Sequence, residues 1–419
     1  MTQYKRLVVS FVVVLSLFSS PALALNKKSN KQVKQNNVVK AKNNTVKKDK
    51  LAKAEKPAKE SKVPEAKECK AELLVDAASG EALFEKNSEQ PLAPASMTKL
   101  MTTFVVMNKL ETGSITLNDQ IPISAKASKT GGSQVYLKEG EKFSLDQLIH
   151  ALLIQSANDA AIAISEYVGG STEGFVELMN QEAKSLGMTQ SEFHSPHGLP
   201  PAEGQLPDLV SARDFGILAR ALVIKFPSLL EITRKGEEDF RDGEFKMSNH
   251  NKLLKTFAGC DGLKTGYYAE AGFSVTVTAE KNNSRMFAVV MGCNDRKFRD
   301  EEAAKLLTQG FSQFKTVKLI DKGQTVDTLA KVENGMKQET ALATAEEVKV
   351  SIRNGDESKI EKKFQLCDKL VAPVSPHTFC GELVYRLNDK EIGRTKLVST
   401  ESVDKVGWAR GMFNKIDLY

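Results

Sequence analysis

Five strand-forming runs, two early and three late, enclose a long helical stretch, and this order limits what the chain can fold into. CKAELLVDAASGEALFEKN, residues 69–87, reads as two short strands turning at Ser79-Gly80. Gly262 to Gly266, Gly272 to Glu280 and Arg285 to Gly292 give three more in succession. Between the two groups lie helices. Leu100, Met101, Phe104, Val105, Met107 and Leu110 recur at helical spacing over 96–110. Residues 145–155 and 157–168 form two apolar helices with little but Ser156-Ala157-Asn158 between them, a further helix covers 173–186, and another begins near Ala212. A last helix runs from Asp300 to Phe314. Strands at both ends of a segment with helices between predict one antiparallel sheet layered with helices. After Thr316 the texture changes to short alternating runs separated by turns, which predicts a small all-β domain.

The two ends of the chain have a different composition. Lys5 and Arg6 precede an apolar run from Leu7 to Phe18 and a small-residue site, Ala22-Leu23-Ala24, the pattern of an export signal cleaved after residue 24. A dozen apolar residues fall short of the roughly 20 that span a bilayer. Residues 26–67 carry 14 lysines against four acids and no aromatic residue. That segment holds +10, Lys5 and Arg6 add +2, and the chain total of +6 leaves −6 for everything after residue 67. The basic character belongs to a tail, so nucleic-acid binding is not expected; a disordered spacer drawn to anionic lipids or wall polymers is. At the other end, ESVDKVGWARGMFNKIDLY over 401–419 has Val406, Ala409, Met412, Phe413 and Ile416 near one face, a marginal amphipathic helix. The expected organisation is a signal over 1–24, a Lys-rich linker over 25–67, a catalytic domain over 68–316, a β-rich domain over 317–400 and an anchor over 401–419.

Five cysteines and five histidines show neither CxxC nor metal-ligand spacing, so no metal and no cofactor are expected. Export makes disulfides permissible, and an odd count leaves at least one thiol free. Cys367 and Cys380 flank a hairpin loop and are candidates for a bridge.

Three short motifs carry the chemistry. Ser96 and Lys99 lie three residues apart at the mouth of an apolar helix and therefore share a face. A buried ammonium is costly unless paired or deprotonated, which suits a nucleophile and its base. Ser-x-x-Lys alone is a common accident, repeated at Ser312 to Lys315, and Ser96 could merely cap the helix. Ser156-Ala157-Asn158 places two polar side chains in a tight interhelical break, where an ordinary cap is the bland alternative. Lys264-Thr265-Gly266 ends a strand, where a turn with a solvated lysine would be unremarked. In this order, however, Ser-x-x-Lys, Ser-x-Asn and Lys-Thr-Gly are the signature of penicillin-binding proteins and serine β-lactamases.

With LLVDAASGEALFEKN, PLAPASMTKLMT, LLIQSANDAAIAI, FHSPHGL, DGLKTGYYAEAGFS and VVMGCNDRKFRDEEAAKLL, the chain resembles the low-molecular-mass penicillin-binding proteins of the D-alanyl-D-alanine carboxypeptidase family over about 70–400. The resemblance implies an α/β sandwich of the β-lactamase/transpeptidase type with a second, small all-β domain. It implies Ser96 as the acylated nucleophile, Lys99 as its base and Ser156 as a proton relay to the departing amine. Asn158 would hold Lys99 or the substrate amide, and backbone N–H groups of Ser96 and Tyr267 would form the oxyanion hole. Lys264, Thr265, Gly266 and Arg299 would face the free carboxylate of a peptidoglycan stem peptide ending in D-Ala-D-Ala. β-Lactam antibiotics would acylate the same serine. Asp214 would brace the site, His194 and His197 would be structural, and His250 stands where related enzymes often place arginine. In that fold the first and last strands of the sheet are neighbours, which would bring Cys69 beside Cys293. Family members commonly end in an amphipathic anchor, so peripheral contact with the outer face of the cytoplasmic membrane is expected.

Rival readings remain. A serine β-lactamase would need an acid followed four residues later by asparagine; Glu192 is suggestive, but residue 196 is proline, and Ala157 replaces the aspartate usual in those enzymes. A D,D-endopeptidase cutting crosslinks uses the same residues. A non-catalytic envelope scaffold has no reason to keep all seven motif residues.

Overall fold

The structure, a computed structural model, describes residues 66–407. The export signal over 1–24, nearly all of the Lys-rich linker and residues 408–419 of the anchor lie outside the described residues.

One antiparallel sheet of five strands has the order β2-β1-β5-β4-β3, with β1 at Ala71–Asp76, β2 at Ala82–Lys86, β3 at Cys260–Tyr268, β4 at Gly272–Lys281 and β5 at Ser284–Cys293. The chain's first strand therefore pairs with its last, Leu73 opposite Val289 and Ala71 opposite Met291. This register places Cys69 beside Cys293, and the two form a disulfide. Both faces of the sheet are covered, which explains why β5 is an almost unbroken apolar run. On one face lie α1 (Lys99–Glu111) and α5 (Ala212–Lys225), packed on Leu73, Phe287 and Val289; on the other, α6 (Arg296–Gln313) packs Ala303, Leu306 and Leu307 on Leu74, Ala288 and Val290. Three further helices, α2 (Leu145–His150), α3 (Asn158–Gly169) and α4 (Thr172–Ser185), build out from α1. A capping box of Ser144 and Gln147 starts α2, and Ser171 and Ser211 cap α4 and α5.

Several boundaries depart from the sequence expectation. The helix after Ser144 is regular only to His150; residues 151–155 widen into a π turn that ends with Ser156 in the left-handed region (φ 64°). The last helix starts at Arg296, four residues earlier than expected, because Asp295 caps it through Phe298 N. Lys264-Thr265-Gly266 sits inside β3 rather than at its end, since pairing with β4 continues to Tyr268. Two small hairpins, 120–122 with 142–144 and 237–240 with 245–248, carry too little alternation to be seen in sequence.

From Phe314 onward the chain is all β. A six-stranded sheet and a two-stranded ribbon (314–320 with 348–353) enclose a core of Ile320, Val350, Leu383, Tyr385 and Leu397. Cys367 and Cys380 do face each other across the hairpin of 360–366 and 379–387, but both are free thiols, which corrects the expected bridge. The Cys380 sulfur instead donates to Thr378 O within this core. Residues 401–407 are extended rather than helical: Val403, 1% exposed, bridges Val374, and Lys405 bridges Gly335. They belong to the β unit.

Candidate active site

Ser96 lies on a single 3-10 turn, Ala95–Thr98, that leads into α1. One strained residue and two close glycine approaches define that turn. Ala95 takes a left-handed conformation (φ 49°), costly for a residue with a Cβ. Gly266 of β3 passes so close that a Cβ there would sit 2.3 Å from Pro94 O. Gly198 (φ 75°) approaches from the opposite loop, where a Cβ would sit 1.9 Å from Ala95 O. These approaches explain the glycine of Lys-Thr-Gly and that of FHSPHG.

Lys99 Nζ is fully buried and lies 3.1 Å from Ser96 Oγ, 2.6 Å from Asn158 Oδ1 and 2.7 Å from His197 O. Burial, reinforced by the charge of Lys264, pushes the amine well below its ordinary value, against the pull of Asp208 and Asp159. A neutral amine offers two N–H groups and one lone pair. His197 O can only accept, and Asn158 is held with its oxygen toward Lys99 because its Nδ2 donates to Gly131 O at 2.7 Å. In that neutral form these two oxygens would take both protons, leaving the lone pair for the Ser96 hydroxyl. Ser156 Oγ, 2% exposed, has no hydrogen-bond partner among the described residues. A buried hydroxyl left unpaired is expensive, and here it opens onto the cleft.

The cleft has a volume of about 290 Å³ and gathers Ser96, Ser156, Thr265, Gly266, Tyr267 and Arg299 from the sequence-identified set. Lys99, Asn158 and Lys264 lie beneath it, each no more than 3% exposed. Lys264 Nζ donates to Thr265 O at 3.1 Å; burial and the nearby Arg299 charge push its pKa down to about 7. Arg299, 3% exposed, donates to Ser274 O at 3.1 Å and pairs with Asp300. Tyr267 is half exposed and stacks on Phe273 with 4.1 Å between ring centroids. His250 lines the cleft as well; partial burial, then the charges of Lys264, Lys252, Arg296 and Lys99, hold its imidazole down to about 4.

Sequence reasoning missed Asp208. Its buried carboxylate accepts from Thr98 Oγ1, Ser195 Oγ, and the N–H groups of His194 and Ser195, at 2.7–2.9 Å. It thereby ties the FHSPHG loop to the nucleophile turn. Asp214 instead accepts from Gln190 N and Ser191 Oγ, so it braces the entry to that loop from further away. His197 contributes its carbonyl; burial and then Lys99 push its ring down to about 3, and its Nδ1 accepts from Leu199 N. Ser133, Lys252 and Arg296 also line the cleft and were not anticipated. Of these, only Arg296 had a sequence signal, its helical spacing from Arg299.

A two-faced antiparallel sheet with a serine and a buried lysine on one turn defines the penicillin-binding class of serine enzymes. The profile of the D-alanyl-D-alanine carboxypeptidase family matches residues 55–295, and that of the penicillin-binding protein 5 C-terminal domain matches 314–405. The chain belongs to the D-alanyl-D-alanine carboxypeptidase family. It is 35% identical to D-alanyl-D-alanine carboxypeptidase DacF of Bacillus subtilis over 347 residues, 82% of this chain and 88% of that one. Penicillin binding protein 5 from Haemophilus influenzae superposes with a TM-score of 0.72 at 30% identity, covering 82% of this chain and 99% of that one. The ampicillin-bound form of penicillin-binding protein D2 from Listeria monocytogenes matches with a TM-score of 0.53 at 30% identity, over 58% of this chain and 97% of that one.

Proposed function

We propose that the chain is a serine-type D-alanyl-D-alanine carboxypeptidase that removes the terminal D-Ala of peptidoglycan stem peptides through an acyl-enzyme on Ser96. The observation that carries this reading is the fully buried Lys99 Nζ 3.1 Å from Ser96 Oγ, with Asn158 Oδ1 and His197 O as its other two partners. Lys99 takes the hydroxyl proton as Ser96 attacks the carbonyl, and backbone N–H groups of Ser96 and Tyr267 receive the developing oxyanion. Ser156, unpaired in the free enzyme, passes a proton to the leaving amine. Lys264, Thr265 and Arg299 hold the terminal carboxylate, and Gly266 lets β3 lie against the nucleophile turn. β-Lactams enter as mimics of the same peptide, consistent with the ampicillin-bound relative.

The test is covalent labelling with a fluorescent penicillin, followed by peptide mapping. An adduct on Ser96 that Ser96→Ala abolishes is expected; an unlabelled wild-type chain would refute the reading.

The same proposal places the enzyme outside the cytoplasmic membrane, exported by residues 1–24 and held peripherally by its C-terminal segment together with the Lys-rich linker. Two weak contacts hold better than one. Among the described residues no helix is long and apolar enough to cross a membrane. Because 402–407 are part of the β unit, the informative truncation removes 408–419 only. That protein should leave membranes at lower salt than the full chain in a sedimentation assay; identical retention would assign attachment elsewhere.

A further inference from the structure

The cleft carries more positive charge than one carboxylate needs. Lys252, Arg296 and Arg299 line it, Lys264 lies beneath, and no acidic side chain appears among the lining residues. The charges converge on His250: burial first, then Lys264, Lys252 and Arg296, hold its imidazole pKa down to about 4. Two of the cations are also unspent. Arg299 has Asp300, Lys297 pairs with Glu301, and Lys255 pairs with Glu237. Arg296 and Lys252 have no carboxylate partner among the described residues. Arg296 lies over the Phe273 ring, 5.6 Å from its centroid, which fixes the guanidinium beside the Tyr267–Phe273 stack at the rim.

Resting on the carboxypeptidase reading above, we propose that Arg296 and Lys252 form a second anion-recognition point, and that the substrate presents a second carboxylate besides its C-terminus. The chemistry selects a stem peptide built on a diamino acid whose side chain ends in an ammonium and a carboxylate on the same carbon, and selects against one ending in a bare ammonium. A lysine side chain would bring a cation into a cationic cleft, where like charges in a partly desolvated site repel. The diamino acid that carries it is the third residue of the donor peptide; where a distal amine is the leaving group of a crosslink, the adjacent carboxylate takes the place of the C-terminal one and is not a second.

The experiment compares kcat/KM on the full-length chain for pentapeptides that differ only in meso-diaminopimelate or L-lysine at the third residue. A charge-assisted contact corresponds to a preference of about tenfold or more for the carboxylated member. Arg296→Gln and Lys252→Gln together should bring that ratio to within about twofold of one. Equal rates on the two peptides, or a ratio the double variant leaves intact, would overturn the second anion point alone. No release from either peptide would overturn it together with the carboxypeptidase reading.

Discussion

The sheet-and-helix unit and the β unit that follows it treat buried polar groups in opposite ways. Around the cleft the chain buries Lys99, Asn158, Asp159, Asp208, Lys264 and Arg299, and leaves Ser156 Oγ unpaired. In the β unit the buried polar residues are Thr340, Thr344, Ser351, Thr395 and Ser399, with no ionic group among them. Buried charge is costly, and left-handed Ala95 and Ser156 add backbone strain beside it. Among the described residues only the first unit buries ionic groups, and it does so around Ser96. The β unit is built for packing. Substitutions in the first unit should therefore change chemistry more than stability, and those in the second the reverse.

The largest effect should come from the Ser96–Lys99 pair. In the proposed mechanism Ser96→Ala removes the nucleophile, and Lys99→Ala removes the group that deprotonates it. Each should lower kcat for D-Ala release by at least about 10⁴-fold. Because the two act as one unit, the double variant should be little worse than either. A double variant showing the product of the single losses would mean that Lys99 acts independently of Ser96. Circular dichroism should show both variants folded.

Lys264 sharpens the comparison, since one residue should show stability and function opposed. Lys264→Met should lose roughly ten- to a hundredfold in kcat/KM, the worth of a charge-assisted contact to a carboxylate. It should also melt higher than wild type. The folded-state pKa of about 7 lies below the ordinary 10.5, so between those values the unfolded chain holds the extra proton and stability rises with pH. The cost is thus greatest below pH 7, with an upper bound of about 5 kcal/mol there. A thermal melt at pH 6.5 in which Lys264→Met is no more stable than wild type would show that the buried amine carries no penalty.

Two pH limbs follow from the same groups. As the proposed base Lys99 must be neutral, so kcat/KM should fall on acidification as it takes up a proton. Lys264 must be charged to hold a carboxylate, so kcat/KM should also fall as the pH rises through about 7 in the free enzyme. Arginine does not deprotonate, and Lys264→Arg should flatten the alkaline limb while leaving the acid limb in place. An alkaline limb unchanged in that variant would assign it to another group.

Motif spacing made the two units unequally legible. Ser96, Lys99, Ser156, Asn158 and Lys264 were found because short segments fix their mutual placement before the sheet is known. Asp208 stayed hidden because its partners, Thr98, His194 and Ser195, meet it only through the tertiary fold and two of its four bonds come from backbone. The role of His197 escaped for a related reason: its carbonyl, not its ring, reaches Lys99. No residue type announces Ser156 in the left-handed region, since serine usually avoids it and only the π turn before it imposes that geometry. The β unit was readable as alternation but not as topology. Pairing of 339–344 with 390–399 spans some fifty residues, and alternation says nothing about partners. The expected Cys367–Cys380 bridge failed at that level: adjacency was right, but the Cys380 sulfur faces the core.

The smallest effect on chemistry should follow a disruptive change in the β unit. Leu397 is fully buried among Leu342, Val350, Leu383 and Tyr385, and Leu397→Ala removes its apolar volume from that core. Such truncations cost about 2–5 kcal/mol. The two units meet away from the cleft: Thr316 N donates to Ser284 Oγ, Asn354 N to Gln313 O, and Lys390 pairs with Glu81. None of these residues lines the cleft or touches the 3-10 turn, which is held instead by Gly266, Gly198 and Asp208. The rate constant for penicillin acylation at 25 °C should therefore change by less than about twofold in Leu397→Ala, while protease nicking between 316 and 400 should rise steeply. Acylation slowed in proportion to the lost stability would mean that the β unit holds the nucleophile turn in place, and the division of labour between the two units would fall.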